Sequence, residues 1–249
     1  MALAKAPNKR LKKFFDSLGP EFDNYLRCGT SLLNKRVEHL LSGFNFYPTV
    51  IDNDMRWVHY FVQPLFIPFP GLMLEYGDRI PKNLDWGMKH FPQWVAHQDD
   101  SNVQATRDLL ENLGLPNLQG MDSLDGFYSY LLGRTARSKR LDDWETIIAT
   151  AIWLGDLEQT TEHLTRALEV ADEREIVAMD VAEAERLWHK DLTKVTSHDV
   201  ECQNRIMRLQ EALATEGLPK AREILREWER YTVAELGIEH LYNPKETRR

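Results

Sequence analysis

Residues Arg56–Ile80 read RWVHYFVQPLFIPFPGLMLEYGDRI, and this stretch decides the fold class. It is the only long segment dense in aromatics, Val and Ile, the residues that fit a pleated, half-buried surface. From Arg56 to Val62 both alternating sets, Trp57/His59/Phe61 and Val58/Tyr60/Val62, are largely apolar, which predicts a strand covered on both faces. Pro64 and Pro68 donate nothing to a ladder, so the strand bends or ends there. Leu72, Leu74 and Tyr76 resume alternation as a further strand before Gly77-Asp78. Upstream, Phe44, Phe46 and Tyr47 run extended into Asp52-Asn53-Asp54, whose turn chemistry predicts a hairpin. Three antiparallel strands are expected.

Helical spacing governs the rest. Leu11, Phe14, Phe15 and Leu18 predict a first helix stopped by Gly19-Pro20, and Phe22, Tyr25 and Leu26 a short second turn. Ser31 as N-cap, Leu33, Val37, Leu40 and Leu41 as a stripe, and Gly43 as C′ predict an amphipathic helix. Beyond an irregular aromatic connector around Trp86 and Trp94, helices are expected from Ser101 to Gly114 and behind Ser123. Trp144–Leu154 and Leu157–Leu168, turning at Gly155-Asp156, form an αα-hairpin. A long helix is expected across residues 177–195, then one from Ser197 to Gly217 and a last one after Pro219. The fold class is therefore α+β: a short antiparallel sheet with helices in residues 1–81, an all-helical region over 82–242, and a disordered tail over 243–249.

Charge follows the same division. Residues 1–81 carry 10 Lys/Arg against 8 Asp/Glu, a balance of +2; residues 82–249 carry 21 against 31, a balance of −10. An acidic helical region repels nucleic acid and anionic membranes and attracts a basic partner at a salt-dependent rate. The basic start, MALAKAPNKRLKKFF, has no apolar core of a secretory signal, and Phe61–Leu74 is broken by three prolines, so a cytoplasmic, non-membrane protein is expected. Cys28 and Cys202 are too few and too far apart for a disulfide framework and read as reduced core thiols.

No specific catalytic pattern stands out. HExxH, CxxC, GxSxG, GxxxxGK[ST] and a histidine pair four residues apart are all missing. The best metal candidates, His90 with His97 and His163 with Glu158 or Glu162, read more simply as ordinary helix residues, and no cofactor is expected. The basic loop GRTARSKR, from Gly133 to Arg140, is followed at once by Asp142, Asp143 and Glu145, which partly neutralise it. A catalytic alternative would draw on His59, Tyr60 or Tyr76 beside Asp78 and Arg79, and a helical adaptor would need further repeats.

Clustered acid needs only sign and proximity to attract a partner, whereas catalysis needs a geometry that leaves motifs. The expected partner-binding set is therefore Asp142, Asp143, Glu145, Asp156 and Glu158 as an acidic patch, with Trp86 and Trp94 as aromatic anchors. Phe61-Val62-Gln63-Pro64-Leu65 and the Gly77-Asp78-Arg79 turn give residues 8–80 a pattern that resembles small α+β immunity proteins encoded beside bacterial polymorphic or contact-delivered toxins. That resemblance implies no catalytic site and a toxin domain, blocked by direct one-to-one binding, as partner.

Overall fold

The computed structural model describes residues 9–48, 56–80, 100–135, 138–176 and 197–244. The chain divides into two compact units, Met1–Ser123 with Tyr231–Lys245, and Leu124–Arg230. The unit that holds the sheet thus extends past residue 81, where composition alone changes, and recruits a segment near the C-terminus.

Five antiparallel strands in the order β1-β2-β3-β4-β5 form a meander in the first unit: β1 Tyr25–Cys28, β2 Ser31–Asn34, β3 Leu40–Pro48, β4 Arg56–Pro64 and β5 Tyr76–Ile80. The long central pair runs from Leu40↔Pro64 to Pro48↔Arg56. The expected hairpin therefore forms, though its turn lies outside the described residues. β4 ends at Pro64, and the buried Gln63 side chain holds the following loop by donating to Gly71 O (3.0 Å) and accepting from Met73 N (3.0 Å). β5 begins only at Tyr76, so Gly77-Asp78 lies inside a strand instead of closing one.

The helix expected from Ser31 to Gly43 is instead β2, a turn and the start of β3. Asn34 Oδ1 accepts from Arg36 N (3.0 Å), a local turn that breaks the stripe, and Leu33 and Leu41 then share one sheet face with Gly43 between their neighbours. A short apolar run with a turn residue in it satisfies the strand period as well as the helix period, and the sheet decides between them. Likewise the turn expected over Phe22–Leu26 is a 3-10 helix, Pro20–Phe22, that leads into β1.

Both sheet faces are covered. On one, Leu33, Leu41, Phe61, Cys28 and Leu65 pack with Val233, Leu236 and Ile238. On the other, Phe14 and Phe15 of α1 (Lys9–Ser17) meet Phe46 at ring distances of 5.6 and 5.3 Å. Phe22 meets Phe44 at 6.3 Å. The same face takes a continuous helical stretch, α2 (Asp100–Leu109), a π-turn (Leu110–Gly114) and α3 (Leu115–Gln119), so Gly114 does not end the helix. A Cβ at Gly114 would fall 2.6 Å from Phe44 Cε1, which explains a glycine where this stretch meets the sheet. The expected tail is anchored at its start, because Tyr242 bridges to Val37 and Asn243 N donates to Val37 O (2.8 Å).

The second unit is built on α5 (Leu141–Leu154), in which every residue from Leu141 to Trp153 except Asp142 is buried. A helix covered all round is a core element, and its neighbours are α4 (Leu124–Thr135), α6 (Leu157–Glu173) and α7 (Ser197–Thr215). Gly155 at φ +83° ends α5, and Asp156 caps α6 by accepting from Gln159 N (3.0 Å), giving the expected hairpin. α8 (Leu218–Leu236) supplies residues to both units. Its Arg222 donates to Ile152 O (3.0 Å) and Trp153 O (2.9 Å), carbonyls in the last turn of α5. The expected helix over 177–195 lies outside the described residues.

Candidate functional site: a groove on the helical unit

The acidic positions singled out by sequence separate into two kinds. Asp143 and Glu145 are buried, with 3% and 0% of their surface exposed, and are used internally. Asp143 accepts from Arg134 Nε (3.1 Å) and Ser138 Oγ (2.7 Å), and Glu145 accepts from Arg205, with Nη2–Oε2 at 2.9 Å. Asp142 is engaged by Arg140 and lies 4.0 Å from His198. These three therefore form no free acidic patch. The first turn of an amphipathic helix looks hydrophilic in sequence, and only the packing of α7 against α5 turns Glu145 inward. Asp156 and Glu158 are exposed at the start of α6. Trp86 and Trp94 lie outside the described residues, as do His90 and His97.

A different feature gathers the remaining acid. α4 and α6 each pack along α5 and make little contact with one another, and the gap between them is an open groove of about 570 Å³. Its floor is Trp144 and Ile147 of α5, Thr135 of α4 and His163 of α6, all buried. Leu132, 41% exposed, forms the α4 wall; Gln159, Glu162, Arg166 and Glu169 form the α6 wall. The volume falls in the range of clefts that bury drug-sized ligands, roughly 300–1,000 Å³.

The floor is rigid and mainly neutral. Trp144 Nε1 donates to Ser138 O (3.1 Å), which sets the indole, and its ring lies 6.1 Å from that of His163. Burial holds the His163 imidazole below its ordinary pKa and pushes the Tyr128 phenol above its own. At neutral pH His163 is thus uncharged, and its Nε2 shares a hydrogen bond of 2.8 Å with the Tyr128 hydroxyl. Thr135 Oγ1 is buried and has no hydrogen-bond partner among the described residues.

The rim is acidic. Arg166 pairs with Glu169 and the two cancel, whereas Glu162 and Asp156 make no ion pair among the described residues. Glu162 only accepts from Gln159 Nε2 (3.4 Å), a long contact. Their field reaches the floor, where both carboxylates raise the pKa of Tyr128 and oppose the lowering of His163.

The catalytic alternative on the sheet divides across it. His59 pairs with Arg79 and Tyr60 with Asp78 in adjacent registers, so the two pairs point to opposite faces. Arg79 lies 4.9 Å from the Trp57 ring centroid and 5.8 Å from that of Tyr47, an aromatic clamp on one face only. Burial lowers the His59 pKa, partly offset by its hydrogen bond to the Gly77 backbone. Cys28 and Cys202 are both buried, as expected, and form no disulfide with each other. Burial, with Glu145 beside it, drives the Cys202 thiol far above its ordinary pKa, which keeps it protonated.

Among the described residues no helix is long and apolar enough to cross a membrane, and no group of three or more His, Cys, Asp or Glu side chains is placed to hold a metal ion. No family model, curated protein or solved structure matches this chain. Sequence reading missed the groove because its floor comes from three helices. The one local signal was the spacing of Gln159, Glu162, His163, Arg166 and Glu169, a single polar stripe on α6.

Proposed function

We propose that this chain is a non-catalytic protein that binds another protein one-to-one, in the manner of an immunity or inhibitor protein facing a basic toxin domain, and that the groove between α4 and α6 is the docking site. The observation that carries the reading is the groove's make-up: a buried floor of Trp144, Ile147, Thr135 and His163 beside Glu162, a carboxylate that no cation among the described residues neutralises. Such a surface supplies contact area at its centre and attraction at its rim, the division of labour found at protein interfaces. Asp156 and Glu158 keep the role the sequence suggested for them, while Glu162 and Leu132 replace Asp143 and Glu145. A cytoplasmic site of action goes with this reading.

The test is affinity capture of the full chain from its native host at low and moderate salt, with stoichiometry read by native mass spectrometry. One basic protein at a one-to-one ratio, lost as salt rises and recovered at least several-fold less by a Glu158→Lys/Glu162→Lys variant with unchanged circular dichroism, is the expected result. Recovery of the chain alone, or of a partner indifferent to both salt and the variant, overturns it.

A further inference from the structure

We infer that the edge of α8 carrying Arg222, Arg226 and Arg230 is a second docking surface, one that receives a short acidic segment of a partner protein. The ligand chemistry follows from how charge is arranged within the helical unit. Its sequence is rich in acid, and among its described residues Arg134, Arg140, Arg166, Arg174, Arg205 and Arg208 each hold a carboxylate. The three arginines of this edge hold none among the described residues. Arg222 turns to the Ile152 and Trp153 carbonyls (3.0 and 2.9 Å), and Arg226 lies over the Trp153 ring, 5.6 Å from its centroid. Residues four apart on a helix are neighbours, so these like charges repel, and burial together with Arg226 lowers the pKa of Arg222. An incoming cation would add to the repulsion; incoming carboxylates would relieve it.

The edge is within reach of a partner and partly pre-set. Arg226 and Arg230 are exposed and Arg222 is half-buried. A guanidinium already laid on an indole or bonded to carbonyls has lost freedom before any ligand arrives, so ordering it costs less on binding. Successive positions stand about 6 Å apart along the helix axis. Carboxylates on every fourth residue of a helix, or every second residue of a strand, repeat at about 6–7 Å and match that spacing. The other exposed edge of α8 is neutralised, with Lys220 on Glu223 (3.0 Å) and Arg208 on Glu227 (2.8 Å), which confines the positive strip to one side. A long polyanion such as nucleic acid would run past the strip onto acid-rich surface and be repelled, whereas a short acidic segment ends within it. None of the three arginines lines the groove between α4 and α6, so the two surfaces are separate.

The probe is a capped peptide, acetyl-Glu-Ala-Ala-Ala-Glu-Ala-Ala-Ala-Glu-amide, titrated into the full chain at low ionic strength beside a counterpart with glutamine in place of each glutamate. Calorimetry reads the affinity, and the side-chain Nε–H resonances of Arg226 and Arg230, assigned with Arg226→Gln and Arg230→Gln, read the place. The acidic peptide is expected to shift both resonances saturably and the glutamine peptide to leave them where they are. Arg230→Gln, at an exposed position, should weaken the acidic peptide about three-fold, and Arg226→Gln/Arg230→Gln about ten-fold. Lys139→Gln, which removes one charge elsewhere in the unit, should leave the affinity unchanged. Arg222 stays in place throughout, since it holds the end of α5. Equal binding of both peptides, binding of neither, resonances of Arg226 and Arg230 that stay still, or an affinity indifferent to Arg230→Gln overturns the inference. So does a short oligothymidine that binds more tightly than the acidic peptide, which would make the occupant a nucleic acid.

Discussion

The carboxylate of Glu145 on α5 and the guanidinium of Arg205 on α7 form a two-pronged ion pair, with Nη2–Oε2 at 2.9 Å and the glutamate fully buried. Desolvation works against the Arg205 charge and Glu145 outweighs it, so Arg205 keeps its charge inside the helical unit. Removing one partner strands the other in a medium that does not solvate it. Glu145→Ala should therefore cost about 3–5 kcal/mol of unfolding free energy in urea titration, whereas Glu145→Leu combined with Arg205→Met should fall close to wild type. A charge-reversed Asp142, Asp143 and Glu145 triple variant would consequently unfold the helices instead of reporting on a partner surface.

His198 and Asp142 give the unit a pH-dependent contact. Asp142 raises the His198 imidazole above its ordinary pKa, with burial and Arg205 opposing and Glu145 assisting. Burial would lift Asp142, but His198 and Arg140 hold it well below the usual carboxylate range. A histidine with a raised folded pKa contributes fully below about pH 6.5 and loses that contribution as pH rises through the folded value; a depressed aspartate contributes above about pH 4 and loses it as pH falls. Urea midpoints should thus decline from pH 6 to pH 8.5 in wild type more than in His198→Gln. Since His198 is more than half exposed, the difference should be roughly 0.5 kcal/mol or less.

Two glycines should respond in opposite directions. Gly77 sits in β5 at φ +152°, and a Cβ there would fall 2.0 Å from the Tyr60 backbone oxygen, so Gly77→Ala should destabilise by about 1–3 kcal/mol. Gly133 lies in the last turns of α4, where a Cβ would meet nothing within 4 Å, and Gly133→Ala should raise stability by up to about 1 kcal/mol. Thermal unfolding of the two single variants checks both signs.

Thr135→Val tests the groove floor without any ligand. The hydroxyl has no partner among the described residues, so exchanging it for a methyl removes an unsatisfied buried oxygen and should leave the midpoint of thermal unfolding equal or higher, by about 1 kcal/mol at most. A clear drop in that midpoint would reveal a hydrogen bond to Oγ1 inside the fold.

Arg222 should matter more than its surface position suggests. Its donations to Ile152 O and Trp153 O satisfy the end of a helix otherwise buried in protein, so Arg222→Met should cost about 1–3 kcal/mol, readable as faster amide hydrogen exchange in the last turn of α5.

What residues 56–80 and the helical hairpin carry locally was sufficient to assign the α+β class. Two-sided apolarity in β4, its stop at Pro64, and Gly155-Asp156 between α5 and α6 are signals made by neighbours along the chain. The Ser31–Gly43 segment defied that reading because Leu33, Val37, Leu40 and Leu41 suit either period. Only pairing with Phe61 and its neighbours on β4, and close passage of Gly43 beside Leu32 O, select a strand. Burial of charge was equally out of reach: Asp143 and Glu145 look like the soluble first turn of a helix until Arg134 and Arg205, from elements 9 and 60 residues away, arrive to pair with them. The chain's own order of residues determined the α5–α6 hairpin, the central strand pair, the acidic bias of the helical region and the buried thiols, because periodicity, turn chemistry and charge are local or additive. Tertiary packing alone decided which carboxylates remain free and that α4, α5 and α6 enclose a groove, because both depend on which faces meet across the chain.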